Sequence, residues 1–462
     1  MTETAKKGFA KGREVDMTNG KILPKIFKFA LPLMLTGVLQ LLFNAADMVV
    51  VGQFVGDIAL AAVGATNNIV NLLVNLFMGL SIGAGIVMAK HYGAKKKEEA
   101  ESLVHTAMPL SLILGVCVLI IGLLSANPLL VLLKTPESCL PLSSKYLSIY
   151  FLGAPFLMIY NFGASMLRAI GDTVRPLIYL TIAGVMNVIV NLITVIVFEM
   201  GVAGVAYATI TSQGVSAVLV LISMFRESGY ARFELKKSAI RKKPFLDILR
   251  LGIPSGIQSS LFSISNSLIQ STVNSFGDTV LAANTAAGGL ESFVFIVMQA
   301  ISATASTAVG QNYGAGNYER IKSCVVRCLI CSACFAITVS TAIYLCRVPL
   351  LSLYTNNPEA IAIACERMAI ILFTYLFFGL MDVISQSMRG MGFSVIPMLI
   401  VLFGTCVFRV FWVLVVFPLN PVYISVILSY PVSWILTLII ATVAFLILYK
   451  KRKNQALILN KL

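Results

Sequence analysis

Charge is scarce in this sequence: Asp, Glu, Lys and Arg make up 12% of 462 residues, against roughly 25% in an ordinary soluble domain. Alternating ten-residue segments are missing, which excludes a membrane β-barrel. Histidine occurs twice, as His91 and His105, in or beside a polar loop, too thin a set for a metal centre. No Walker motif, no HExxH and no paired-aspartate motif is present, so neither ATP hydrolysis nor a membrane enzyme is expected. A symmetric filter is also lacking, which argues against a channel. The first ~20 residues are polar, without an apolar core and small-residue cleavage site, so no removed signal is expected. Nine cysteines are present, and Cys324, Cys328, Cys331 and Cys334 share one broad helical face. With no His or carboxylate nearby they read as small apolar packing residues.

What is abundant is apolar length. Hydrophobic residues make up 58% of the chain. Twelve stretches near the ~20 residues that cross a bilayer as helix fall at 25–51, 60–87, 103–124, 146–166, 177–198, 202–225, 248–273, 281–309, 324–345, 365–387, 397–417 and 423–449. The net charge of +15 follows from topology. With both termini cytoplasmic, 30 basic residues lie inside, while Lys134, Lys145, Arg347 and Arg367 lie outside and Arg409 falls within a span. That asymmetry is what the positive-inside rule predicts, and it removes the need for a nucleic-acid partner. The basic run Lys450-Lys451-Arg452-Lys453 suits anionic lipid.

The chain also repeats itself. Asp57 in GDIALAA recurs 221 positions later as Asp278 in GDTVLAA, Tyr92-Gly93-Ala94 as Tyr313-Gly314-Ala315, and Arg168, Gly171, Pro176 as Arg389, Gly392, Pro397. The expected organisation is a cytoplasmic tail at 1–24, an N-lobe at 25–225, a basic cytoplasmic linker at 226–246, a C-lobe at 247–449 and a basic tail at 450–462. Six spans per copy give the copies the same orientation, a parallel repeat. The fold class is thus an all-α polytopic membrane protein, twelve transmembrane helices in two pseudo-symmetric six-helix lobes around a central cleft. Pro32 and Pro254 mark points where helices can kink, and Gly79, Gly83 and Gly85 permit close helix approach.

Ionisable residues at membrane depth are expensive and default to function. Asp47 follows Asn44 by three positions on one helical face. Asn187 and Asn191 stack one turn apart, and Thr209 and Gln213 form a similar pair. In the second copy Glu291, Asp382 and Arg409 are expected to compensate one another as a polar cluster, functional or purely structural.

At these residues the sequence resembles the multidrug and toxic compound extrusion (MATE) family, in its DinF-like bacterial branch. The resemblance runs from about Lys25 to Tyr449 and rests on ALPLMLTGVLQLLFNAADMVVVG, GQNYGAG, LRAIGDTVRP and MRGMGFSVIP with the duplicated layout. It implies a secondary antiporter in a bacterial plasma membrane, acting as a monomer without cofactor, that exports cationic or amphipathic small molecules in exchange for Na⁺ or H⁺. It also implies that Asp47 couples transport, with Asn187 and Thr209 in the same site. Asn191 departs from the Asp of many relatives, and Phe43 from the Tyr of several. One carboxylate among Asn44, Asn187, Asn191 and Thr209 suits either Na⁺ or a proton, and the second-copy acids are an alternative coupling group. A lipid-linked-sugar flippase is the rival within the wider superfamily; it would need several cationic cleft residues, and only Arg409 is clearly intramembrane.

Overall fold

A computed structural model describes residues 14–133 and 135–459. Lys6, Lys7, Lys11 and Arg13 of the expected tail, Lys134 and Lys461 lie outside the described residues. Among the described residues the chain is helical without strands: α1 Ile22–Phe54, α2 Asp57–Gly93, α3 Lys97–Leu132, α4 Leu140–Leu152, α5 Ala154–Ala169, α6 Val174–Leu192 and α7 Val202–Arg226. The second copy gives α8 Lys242–Asn274, α9 Asp278–Gly314, α10 Tyr318–Leu345, a short α11 Arg347–Leu351 and α12 Pro358–Gly390. Then come α13 Val395–Val401, α14 Phe408–Phe411 and α15 Tyr423–Leu459. Three π-helical segments interrupt this order: Ile193–Val197 after α6, and Leu402–Val407 and Trp412–Val416 on either side of α14.

Among the described residues ten helical segments are long and apolar enough to cross a membrane, and the pair α4 and α5, bent by 49° at Gly153, makes an eleventh. The remaining long helix is α8, 33 residues but too polar for that test, with seven serines and Gln258, Asn266 and Gln270. Some of its hydroxyls turn back onto the helix: Ser255 donates to the Leu251 carbonyl at 3.0 Å and Ser267 to that of Ser263 at 3.0 Å, while Ser260 reaches the Leu72 carbonyl on α2 at 3.4 Å. Satisfied in this way, serines cost a membrane helix little. Large apolar side chains such as Leu124, Val197 and Leu414 are exposed, as a lipid-facing surface requires.

The repeated motifs mark helix ends. Gly56 and Gly277 precede α2 and α9 with φ of 107° and 92°, a region closed to most L-residues, and Asp57 and Asp278 then place a carboxylate in the first turn. Gly171 and Gly392 likewise sit at φ 96° and 87°. The glycines of α2 do pack closely. A Cβ on Gly79 would fall 2.1 Å from the Gly256 nitrogen, and one on Gly83 would fall 2.6 Å from that of Gly252. Residues 79–83, GLSIG, spell the G-x-S-x-G of hydrolase nucleophile elbows. Here they lie inside continuous helix, and Ser81 donates to the Met78 carbonyl at 2.7 Å, so they are a packing seam.

Two compact units emerge, and they cut across the linker boundary. One holds Leu35–Ser260 with the segment ending at Asp16; the other holds Met17–Met34 and Leu261–Leu462. The start of α8 joins the first unit through the Gly252 and Gly256 seam. The start of α1 joins the second, where Phe27 meets Phe335 with ring centroids 5.8 Å apart. The linker is itself folded onto the first unit. Phe233 is buried, and the Glu234 amide donates to His105 Nε2 at 3.0 Å, which leaves His105 Nδ1–H to donate to the Glu101 carbonyl.

Candidate functional site

In the first unit, α1 carries Asp47 half-buried against α6. Asn191 Nδ2 donates to Asp47 Oδ1 at 2.8 Å. One turn earlier on α1 and two turns earlier on α6, the Phe43 ring lies on Gly184, so close that a Cβ there would come within 1.9 Å of it. The missing side chain at 184 lets α1 approach α6 near enough for the carboxylate to reach the amide. Asn191 stands where α6 gives way to the π-helical Ile193–Val197, and Thr194 pins that transition by donating to the carbonyls of Val190 and Gly204 at 2.8 and 3.0 Å.

Asn187 and Asn191 are both buried, and the side-chain oxygen of each has no hydrogen-bond donor. Tyr146 of α4 lies within hydrogen-bonding reach of Thr209 and feels the charge of Asp47. Tyr150 lies beside Gln213, whose side chain fills the space left by Gly153 at the α4–α5 bend. Asn44 is exposed. Among the described residues no Lys or Arg acts on the Asp47 carboxylate. The Asp47 carboxylate therefore meets Asn191 with no balancing cation, and Asn187 stands one turn away on the same helix; the two unfilled amide oxygens and the carboxylate are the kind of acceptors that suit a small hard cation or a proton.

In the second unit the expected compensation of Glu291 and Asp382 by Arg409 does not form. Arg367, expected on the outer aqueous side, lies buried within α12 and forks onto Glu291, with Nε to Oε1 at 2.8 Å and Nη2 to Oε2 at 2.7 Å. Its Nη1 donates to Asn284 Oδ1 at 2.5 Å, and Tyr423 donates to the same oxygen at 3.2 Å. A bidentate pair of this kind matches the Glu291 charge, so no uncompensated carboxylate is left there. Asp382 lies apart, near Ser302 and Arg389. Arg409 is held by neutral groups, Ser433 and Asn266. Composition did not reveal Arg367, but register does: it stands 221 positions after Tyr146, in the site of the first copy. Another interaction missed from sequence joins Arg175 to Asp172 and, at 2.6 Å, to Glu227.

The sequence profile of the MatE family matches residues 32–193 and again 254–415, one match per copy. A probable multidrug resistance protein of Bacillus subtilis, YpnP, is 30% identical over 377 residues, covering 82% of this chain and 84% of that protein. The probable multidrug resistance protein NorM of Thermotoga maritima is 28% identical over 389 residues, 82% of each chain. The solved outward-facing structure of a multidrug resistance MATE-family transporter of the MOP superfamily overlays with a TM-score of 0.89 at 21% identity, covering 96% of this chain and 99% of the other.

Proposed function

Because the chain belongs to the MatE family of multi-pass membrane transporters, which are not enzymes, we propose that it is a secondary active antiporter that exports cationic or amphipathic small molecules. The energy comes from Na⁺ or H⁺ taken up at Asp47, with Na⁺ the favoured ion. The observation that carries this is the uncompensated Asp47 carboxylate bonded to Asn191, with donor-free oxygens on Asn191 and on Asn187 one turn away. A bare carboxylate at membrane depth costs roughly 3 kcal/mol or more, so a neutralising cation is strongly held there. Two further oxygens without donors favour a metal cation over a proton, since a proton would satisfy only the carboxylate.

Alternating access follows if the ion binds the inward- and outward-open states with different affinity; an ion with equal affinity for both drives nothing. The positive-inside pattern supports cytoplasmic termini in a bacterial cell, and the basic run Lys450–Lys453 suits anionic lipid. The duplicated chain supplies both halves of the transporter, so a monomer suffices, and no cofactor is needed.

The test is ethidium efflux from proteoliposomes under an imposed Na⁺ gradient, then under a pH gradient. Wild-type protein should respond to Na⁺, and Asp47→Asn should lose the response while remaining folded. Gradient-driven efflux by Asp47→Asn at the wild-type rate removes Asp47 from the mechanism. A response to pH alone replaces Na⁺ with H⁺.

A further inference from the structure

Arg409 is the bulkiest fully buried side chain among the described residues, and it is charged. Its Nε donates to Ser433 Oγ at 3.1 Å and its Nη1 to Asn266 Oδ1 at 2.9 Å. Its Nη2 is buried without an acceptor. The guanidinium lies 4.3 Å from the Tyr430 ring centroid, 5.5 Å from that of Phe262 and 5.8 Å from that of Trp434. The titratable groups that act on it are Tyr430, Cys406 and Tyr375; no carboxylate is among them. Arg367 in the same unit shows the contrast, since its charge is matched by both oxygens of Glu291.

A second orphan points the same way. Trp434 is buried, and its indole Nε1–H also lacks an acceptor. Two unmatched donors, one of them cationic, therefore share one aromatic enclosure. What satisfies both is an acceptor with negative charge. The helix that carries Arg409 is also unusual. The four-residue α14 lies between π-helical Leu402–Val407 and Trp412–Val416, where the regular hydrogen-bond ladder is broken, and π-bulges are frequent at binding sites. Register adds a third observation. Tyr430 and Trp434 stand 221 positions after Thr209 and Gln213, and Arg409 after Val188, so the copies hold different polar chemistry on corresponding helices.

We infer that the second unit carries an oxyanion site centred on Arg409. It takes the carboxylate or phosphate of an aromatic amphipathic molecule whose ring lies among Phe262, Tyr430 and Trp434. This rests on the transporter reading for its purpose, though binding at the site is separable from transport. The proposed function leaves the cargo as cationic or amphipathic; the site adds recognition of an anionic or zwitterionic head group.

The test is equilibrium binding of carboxyfluorescein to the purified full-length protein, with ethidium as the cationic reference. Wild-type protein should bind carboxyfluorescein saturably. Arg409→Gln should lower the ratio of carboxyfluorescein to ethidium affinity by about ten-fold or more, the loss expected for a charge-assisted hydrogen bond. Where Arg409→Gln fails to fold, Arg409→Lys carries the test, since it keeps the charge but loses the fork and the stacking. Absence of saturable binding by wild type, or an unchanged ratio in the variant, overturns the site. Competition by phosphatidylglycerol overturns the aromatic ligand in favour of a lipid head group, and insensitivity to it supports a soluble aromatic solute. Loss of gradient-driven efflux with binding intact overturns the antiport reading and leaves the oxyanion site standing.

Discussion

Two contacts, one turn apart on α1 and two turns apart on α6, decide where the Asp47 carboxylate sits: the Phe43 ring on Gly184, and Asp47 on Asn191. A methyl at position 184 has no room unless the ring moves, and the ring is tied through α1 to the carboxylate. Gly184→Ala should therefore cost about 1–3 kcal/mol, as overpacking does, and weaken Na⁺-dependent efflux as well. Adding Phe43→Ala should return part of both losses, because the pair shares one space and its energies are not additive. Thermal unfolding in detergent and efflux assays on the four proteins of the cycle check this; strict additivity would mean that the Phe43–Gly184 contact does not position the site. Asp47 and Asn191 were legible in sequence because polar groups stand out in an apolar run. Gly184 was not, since a glycine reports nothing about what lies over it. Arg409 was misassigned for a physical reason. Charge pairing was expected to hold it, whereas aromatic faces, a hydroxyl and an amide do so here. Arg367 was placed in water because it lies near the start of an apolar run. Yet α12 begins at Pro358, so the residue is more than two turns inside the helix.

At the scale of elements, the apolar stretches located the helices but understated their length. The second stretch, 60–87, lies within α2, which runs for 37 residues, well beyond the ~20 that span the hydrocarbon core. The extra turns continue to glycine-marked ends that the repeat displays twice. One end is imperfect. After α2, Lys95 takes φ 56°, where the second copy has Gly316 at φ 69°. A left-handed L-residue costs roughly 1–2 kcal/mol, partly offset by the added freedom glycine gives the unfolded chain. Lys95→Gly should therefore raise the unfolding midpoint by a small amount, about 0.5 kcal/mol in stability. A lower midpoint would show that the exposed Lys95 side chain contributes more than its backbone costs. The bend at Gly153 and the π-helical segments were not legible, because neither changes the apolar pattern that sequence displays.

At the scale of the molecule, the duplicated layout was legible from motif spacing, but the division into compact units was not, because it falls inside α1 and α8 where hydropathy is continuous. The chain also changes unit between Asp16 and Met17. On one side of that point, the Val15 amide donates to the Gly171 carbonyl at 3.1 Å and Tyr92 donates to Glu14 at 3.2 Å. On the other, the Met17 amide donates to Gln311 at 2.8 Å and its carbonyl accepts from Arg320 at 2.9 Å. The first set is the pH-sensitive one. Burial is the largest influence on Glu14 and raises its pKa above the ordinary 4.5; neighbouring Glu227 adds to the rise, and the Tyr92 hydrogen bond and Arg175 oppose it. The docked segment therefore holds its proton more tightly than the undocked one. Its docking is strongest below the ordinary glutamate pKa and weakens as pH rises through the raised value. Amide exchange at Val15, corrected for intrinsic base catalysis, should show protection that falls with rising pH. In Glu14→Gln, which stays neutral and keeps an acceptor for Tyr92, protection should be level across that range. The same pH slope in Glu14→Gln and wild type would remove Glu14 as its cause and leave the docking to backbone hydrogen bonding alone.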